Sequence, residues 1–410
     1  MRKKIVIKWC ILLIICIIFA AIITLAISYA NRASHYNPPA HPRSTLKEPN
    51  LTACKKPLFT VLSVDGGGIK GLIPAIILAK LASKTKQATS QIFDLMAGVS
   101  TGSLLTSILA LPNQQGQPKF TATEVVNLYK NDAKLIFNNS FIHQALTLDG
   151  LIGPKYDPQG IDKLTKKYYG KINMNHLLTH VLLVGYDAIQ KRIVTFCNWK
   201  NCNNMTYAYD VGHVITGTTA IMSYLPSQLF YDKNDKLKHV VNDASIIINN
   251  PSALSYLYAK KLCPNAKHYL IFSIGTGKYA PVDGALETRG WGLIQWLPSM
   301  LRTTIESETE LANVLLNNFA NLVNIRTTKN QLPHLIYIRI NPMIPPGHGP
   351  TNISKENIRF LSKVAQKTIT KNKALITCVA KLLRAQSNIN TLSRQCVRIL
   401  KEASEERYSI

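Results

Sequence analysis

The stretch Gly98-Val99-Ser100-Thr101-Gly102 constrains this chain more than any other. A strand-like run, Ile92-Phe93-Asp94-Leu95-Met96-Ala97, leads into it, and an apolar helical run from Ser103 to Ala110 leaves it. A serine with glycine two positions before and two after, set between a strand and a helix, is the pattern of a nucleophile elbow. So sharp a turn leaves room only for small neighbours. Gly98 and Gly102 are therefore read as steric requirements, and Ser100 as a hydroxyl presented at the sheet edge with a helix dipole behind it. An ordinary strand-to-helix turn satisfies the same five letters, so the reading depends on partners elsewhere in the chain.

One partner lies upstream. Leu58-Phe59-Thr60-Val61-Leu62-Ser63-Val64 is a run of strand formers ending in Asp65-Gly66-Gly67-Gly68-Ile69-Lys70-Gly71, and helical apolar spacing follows from Leu72. Consecutive glycines let several backbone N–H groups aim at one point, and a helix start favours an anion there. The spacing fits neither a dinucleotide fingerprint nor a phosphate-binding P-loop. Gly66, Gly67, Gly68 and Ile69 are thus a candidate cradle for a phosphate or a transient oxyanion, with a tight turn as the plainer alternative. A serine nucleophile also needs a base. Of the 10 histidines, His213, His239 and His268 are the best placed, yet none sits in a motif. A carboxylate serves if it is held within hydrogen-bond reach. Asp243, at the end of the strand-like His239-Val240-Val241-Asn242 and beside the small Ala244 and Ser245, suits that role, although a lone loop aspartate is more often a turn or cap residue.

Taken in order, these pieces resemble the patatin-like phospholipase family over most of residues 58–385. Asp65–Gly71 is similar to its oxyanion-hole loop, with Lys70 where the family more often has Arg, and Phe93–Gly102 to its nucleophile segment. Thr218–Pro226 is similar to the segment before its base, Asp243-Ala244-Ser245…Asn249-Asn250-Pro251 to its Asp-Gly-Gly/Ala…Asn-Asn-Pro segment, and Ser273–Gly277 to its next strand and glycine turn. Ile353–Ile358 resembles the start of its late helix. Two departures stand out: Ala244 in place of glycine after the aspartate, and Ser103 where many members have glycine. The resemblance implies a three-layer α/β/α fold around a central, mostly parallel sheet. It implies hydrolysis of lipid acyl esters by a Ser100–Asp243 dyad, without cofactor or metal, on a phospholipid or related lipid substrate. The dyad residues lie 143 positions apart, so only a folded sheet brings them together.

The remaining features concern location and partners. Arg2, Lys3, Lys4 and Lys8 precede an uncharged run from Trp9 to Ile27, which spans roughly 28 Å as a helix, close to a bilayer core. Residues 1–30 are read as an N-terminal signal anchor that leaves the domain exported on a single-pass tether, with a cleaved signal peptide and secretion as the alternative. A proline-rich linker follows over 31–57, then the hydrolase domain over 58–385 and a helical tail over 386–410. In an exported domain Cys197 and Cys202 can close a small loop, while Cys263 and Cys378 read as buried free thiols. The net charge of +26 favours an anionic partner, here a membrane surface; no Cys/His spacing or aromatic-basic signature points to nucleic acid. Lys355, Arg359, Lys363, Lys367 and Lys371 recur every four residues after Ser354, an N-cap type, and predict a helix with one basic and one apolar stripe. Trp291–Pro298 reads either as an interfacial segment or as packing beneath the active site. Three competing functions are a histidine-dependent serine hydrolase, a catalytically weak membrane-tethered lipid-binding module suggested by Ala244, and a nucleic-acid binder suggested by charge alone.

Overall fold

A computed structural model describes residues 57–137, 139–200, 202, 209–231, 236–280, 285–328 and 331–405, together with 20 and 24. The anchor read over 1–30 lies outside the described residues apart from those two, and so does the linker apart from Pro57. Among the described residues no helix is long and apolar enough to cross a membrane.

Eight strands form the central sheet: β1 (Leu58–Val64), β2 (Leu95–Val99), β3 (His180–Asp187), β4 (Arg192–Cys197), β5 (Gln228–Tyr231), β6 (Leu237–Asp243), β7 (His268–Ile274) and β9 (Leu335–Ile340). Their order is β5-β6-β3-β2-β1-β7-β9, with β4 paired to β3. From β3 to β9 every pairing is parallel, whereas β4, β5 and β6 join in antiparallel fashion. The short β8 (Lys278–Tyr279) and β10 (Met343–Ile344) pair separately.

Alternation along the strands divides the core into two layers. Leu58, Leu62 and Val64 of β1, Leu270 and Phe272 of β7, and Ile336 and Ile338 of β9 face one cluster. Phe59 and Val61, Tyr269 and Ile271, and Leu335 and Tyr337 face the other. The first cluster is closed by helices α1 (Leu72–Thr85), α2 (Thr101–Leu109) and α3 (Ala122–Asn131). The second is closed by α5 (Ser252–Leu262) and α6 (Leu293–Val323), which follow the short α4 (Ala133–Phe137) in the chain. A sheet buried on both faces needs near-continuous apolar strands, and β1, β2 and β7 have them.

Three helices finish the chain: α7 (Lys355–Lys371), α8 (Lys373–Arg384) and α9 (Arg394–Ser404). Ser354 Oγ accepts the Asn357 N–H at 3.2 Å and caps α7. Leu361, Ala365 and Ile369 are buried, while all five stripe residues from Lys355 to Lys371 are exposed. The thiol reading needs correction. Cys378 on α8 and Cys396 on α9 face each other with Cα atoms 5.1 Å apart and form a disulfide, and Cys263 is disulfide-bonded as well. The apolar residue pattern that hides these sulfurs does not distinguish a thiol from a bridge. Cys197 and Cys202 close the short loop expected of them. The Cys378–Cys396 bridge spans 18 residues, so opening it releases about 3 kcal/mol of denatured-chain entropy. Cys378→Ala paired with Cys396→Ala should lower stability by about that amount in urea titration, and the loss should match the one reductant causes in a Cys197→Ala, Cys202→Ala, Cys263→Ala background.

Candidate active site

β3 acts as the ruler that brings the two halves of the site together. On one side it pairs with β4. On the other it pairs first with β2, where Val99 lies opposite Val184, and then with β6, where Asp243 lies opposite Gly185. Ser100 follows Val99 directly, so the last residue of β2 and the last residue of β6 meet at successive positions of one strand. Ser100 itself has φ 54° and ψ −122°, a strained conformation for a side-chain-bearing residue. It is nearly buried and starts α2, its carbonyl accepting the Leu104 N–H at 3.1 Å.

The elbow glycines are steric necessities. A Cβ on Gly98 would sit 2.2 Å from the Gly102 carbonyl carbon, and one on Gly102 would sit 2.2 Å from the Val64 oxygen. Ser103 uses its hydroxyl to donate to the Gly98 carbonyl at 2.9 Å, so this departure from the family pattern locks the elbow.

Asp243 is fully buried. Its Oδ1 accepts the Ser245 N–H at 2.8 Å and the Ser245 hydroxyl at 2.7 Å. Oδ2 is buried without a conventional hydrogen-bond partner among the described residues. Burial raises the Asp243 pKa; interactions with Ser100 and Ser245 pull it back in part. Ala244 is buried and packs with Val99 and Val184. The three histidines weighed as bases are engaged elsewhere. His213 Nε2 contacts the Leu229 carbonyl at 2.9 Å, His239 Nδ1 pairs with Asp187 at 2.6 Å, and His268 Nδ1 contacts the Pro333 carbonyl at 2.8 Å. Among the described residues no histidine lines the cavity that holds Ser100.

A folded-state pKa raised by burial means that ionised Asp243 opposes folding. The stability it allows is fully present below its unfolded pKa of about 3.9 and is lost as pH rises through the raised folded value. Asp243→Asn should therefore raise the melting temperature at pH 8, with the gain vanishing toward pH 3. A variant less stable than wild type at pH 8 would contradict this electrostatic account.

The glycine loop divides its four N–H groups. Gly66 N–H donates to the Asn249 carbonyl at 3.2 Å and Ile69 N–H to the Pro350 carbonyl at 2.8 Å. These two expected oxyanion donors are thus committed to holding the loop. The Gly67 and Gly68 N–H groups donate to no acceptor among the described residues and line the same cavity as Ser100. Gly68 has φ +57°, and a Cβ there would strike the Pro350 carbonyl oxygen at 2.2 Å. Beneath the loop, Asp65 forms a bidentate pair with Arg339 of β9, at 3.1 and 2.6 Å. Burial pushes the Asp65 pKa up and the guanidinium opposes it.

Sequence reasoning missed the role of α6. Leu301, Arg302, Ile305, Glu306 and Thr309 share one helix face and wall the cavity. Glu308 Oε2 accepts the Asn249 and Asn250 N–H groups, the second at 3.1 Å, and so pins α6 to the turn that also holds Gly66. Desolvation lifts the Glu308 pKa to about 7. The available signal was Glu306-x-Glu308-x-Glu310, three alternating acids in a chain with only 22. At the start of α6, Trp291 and Trp296 meet edge to face at 5.2 Å while Leu293 and Met300 are exposed.

The cavity measures about 280 Å³ and is largely apolar away from the loop, with Ile136, Phe137, Leu164, Tyr224 and Leu225 on its far side. A serine, a carboxylate and two free backbone donors at one end of an apolar channel can attack an ester carbonyl, take up its proton and hold the resulting oxyanion. A family model described as patatin-like phospholipase matches residues 62–254. Patatin-like protein 2 of Arabidopsis thaliana is 30% identical over 62% of this chain and 68% of its own length. Patatin-like protein 1 of the same plant is 25% identical over 85% of this chain and 91% of its own, and Patatin-08 of Solanum tuberosum 26% over 77% and 84%. The solved structure of VipD from Legionella pneumophila, 10% identical, covers 80% of this chain and 72% of its own with a TM-score of 0.35. With the family model and these relatives matching in sequence, the chain belongs to the patatin-like phospholipases, a family of serine lipid acyl hydrolases.

Proposed function

We propose that this chain hydrolyses acyl esters of phospholipid by a two-residue mechanism. Ser100 Oγ attacks the ester carbonyl while Asp243 Oδ2 accepts its proton. The tetrahedral oxyanion is held by the Gly67 and Gly68 N–H groups, each donor being worth about 3–4 kcal/mol in sites of this kind. Collapse expels the lysolipid alkoxide, which takes the proton back from Asp243. Water, deprotonated by the same carboxylate, then cleaves the acyl-enzyme and regenerates Ser100. The observation that carries this reading is the buried Asp243 carboxylate, fixed at Oδ1 by Ser245, left without a hydrogen-bond partner at Oδ2 among the described residues, and interacting with Ser100, which lines an apolar cavity. The acyl chain occupies the side lined by Ile136, Phe137 and Leu225.

The weaker alternative, a lipid-binding module with a worn dyad, rests on Ala244 alone, and the burial of Ala244 against Val99 and Val184 gives it no added support. The exposed basic stripe of α7 and the N-terminal anchor fit work at an anionic membrane surface. A screen of lipid classes with the purified protein tests the proposal. Fatty acid should be released from phospholipid by wild type and not by Ser100→Ala; equal release by both, or none by wild type from any acyl-ester lipid, would refute it.

A further inference from the structure

Beside the oxyanion loop the cavity wall changes character. Lys70, two residues beyond Gly68, is buried, and its Nζ lies 4.6 Å from the centre of the Tyr279 ring. The Arg302 guanidinium of α6 lies 5.3 Å from the centre of the same ring. All three residues line the cavity that contains Ser100. Neither cation is ion-paired among the described residues, in contrast to Lys278 at the same wall, which pairs with Glu310 at 3.0 Å. One turn along α6 from Arg302, Glu306 also lines the cavity, and its Oε1 is buried without a hydrogen-bond partner among the described residues.

Two cations gathered on one aromatic ring repel each other, and the ring offsets only part of that cost. Burial accordingly lowers the Lys70 pKa to about 8, with Glu306 opposing the shift and Arg302 adding to it. An anion between the cations relieves the repulsion, and a donor reaching Glu306 Oε1 satisfies the orphan acceptor. A single ligand with both features is a phosphodiester carrying an amino or hydroxyl group. In a glycerophospholipid the phosphate stands only a few bonds from the scissile carbonyl, in keeping with a cation two residues from the oxyanion donors.

We infer that Lys70, Arg302 and Glu306 form a head-group subsite that selects phosphodiester lipids bearing a hydrogen-bond donor, such as phosphatidylethanolamine, over lipids without phosphate and over phosphomonoesters. The inference rests on the lipase reading above and adds its substrate class. Diacylglycerol lacks the anion. Phosphatidic acid brings a second negative charge toward Glu306 and no donor group beyond its phosphate.

The test compares kcat/KM for phosphatidylethanolamine, diacylglycerol and phosphatidic acid of identical acyl chains in mixed micelles. Wild type should prefer phosphatidylethanolamine. Arg302→Gln should lower the phosphatidylethanolamine-to-diacylglycerol ratio about tenfold, the scale of one charge-assisted contact. Glu306→Gln should raise phosphatidic acid relative to phosphatidylethanolamine. Ratios within one variant are independent of how much of it folds, and shifts in two different ratios by neighbouring residues do not follow from general damage. Hydrolysis by wild type with both ratios unmoved in both variants would overturn the head-group assignment alone. Failure of wild type to hydrolyse any of the three while it releases fatty acid from another acyl-ester lipid would overturn this inference alone, and failure on every acyl-ester lipid would overturn the lipase reading with it.

Discussion

Ser100→Ala and Asp243→Asn should each lower phospholipid hydrolysis by roughly 10⁴-fold or more, and the double variant should be no worse than the poorer single one. In the proposed mechanism the two side chains perform one event, transfer of the serine proton as the carbonyl is attacked, so removing either should abolish it. The geometry leaves no substitute. Asp243 Oδ2 lacks another hydrogen-bond partner among the described residues, no described histidine lines the cavity, and His213, His239 and His268 contact other groups. Asparagine keeps the shape of Asp243 and can still accept from the Ser245 N–H and hydroxyl, so the fold should survive. Steady-state release of fatty acid from phospholipid micelles, measured beside melting temperature, checks this. Retention of more than about a tenth of wild-type turnover by either variant would be incompatible with a dyad.

The second large effect is expected at Gly98, which never touches substrate. An alanine there places its methyl 2.2 Å from the Gly102 carbonyl carbon, 2.3 Å from its oxygen and 2.5 Å from the Ser103 nitrogen. All three are backbone atoms of the first turn of α2, and no flexible side chain can yield. The turn must move outward, and Ser100, which caps that turn in a strained conformation, moves with it. Displacement of a nucleophile by about 1 Å is enough to cost a hundredfold in rate. Overpacking of this kind costs about 3 kcal/mol or more in stability. Gly98→Ala should therefore lose at least about a hundredfold in turnover as well as stability. The stability loss alone does not explain the rate if turnover is measured on the folded fraction at 10 °C. Wild-type rates there would show that the elbow tolerates a side chain.

The elbow, the glycine loop and the placement of Ser100 and Asp243 were legible because each demands unusual residues: glycines where a Cβ meets backbone, and a serine and an aspartate at strand ends. The mostly parallel sheet was legible for a related reason, since strands buried on both faces must be largely apolar, and β1 and β7 break their apolar runs only with Thr60, Ser63, His268 and Ser273. Its antiparallel side was not. β6 carries exposed Leu237 and Lys238 before its buried end, and nothing in that run records that it continues the edge of β3 vacated by β2. The division of labour among Gly66, Gly67, Gly68 and Ile69 was equally hidden. It depends on the carbonyls of Asn249 and Pro350, which are distant in the chain and carry no side-chain signature. For the same reason Glu308 was missed: its partners are two backbone N–H groups some 58 positions away. Cys378 and Cys396 illustrate the converse. Their spacing of 18 fits many arrangements, and only the pairing of α8 with α9 selects one.

The central claim, that Ser100 is the nucleophile and Asp243 its base, is tested most directly by active-site labelling. A fluorophosphonate ester phosphonylates an activated serine and reports its reactivity without any choice of lipid. Intact-mass and peptide analysis of the wild-type protein should show one adduct, on the peptide containing Ser100, and Asp243→Asn should slow its formation by about a hundredfold or more. An adduct on a different serine, or labelling of Ser100 at the wild-type rate in Asp243→Asn, would contradict the account.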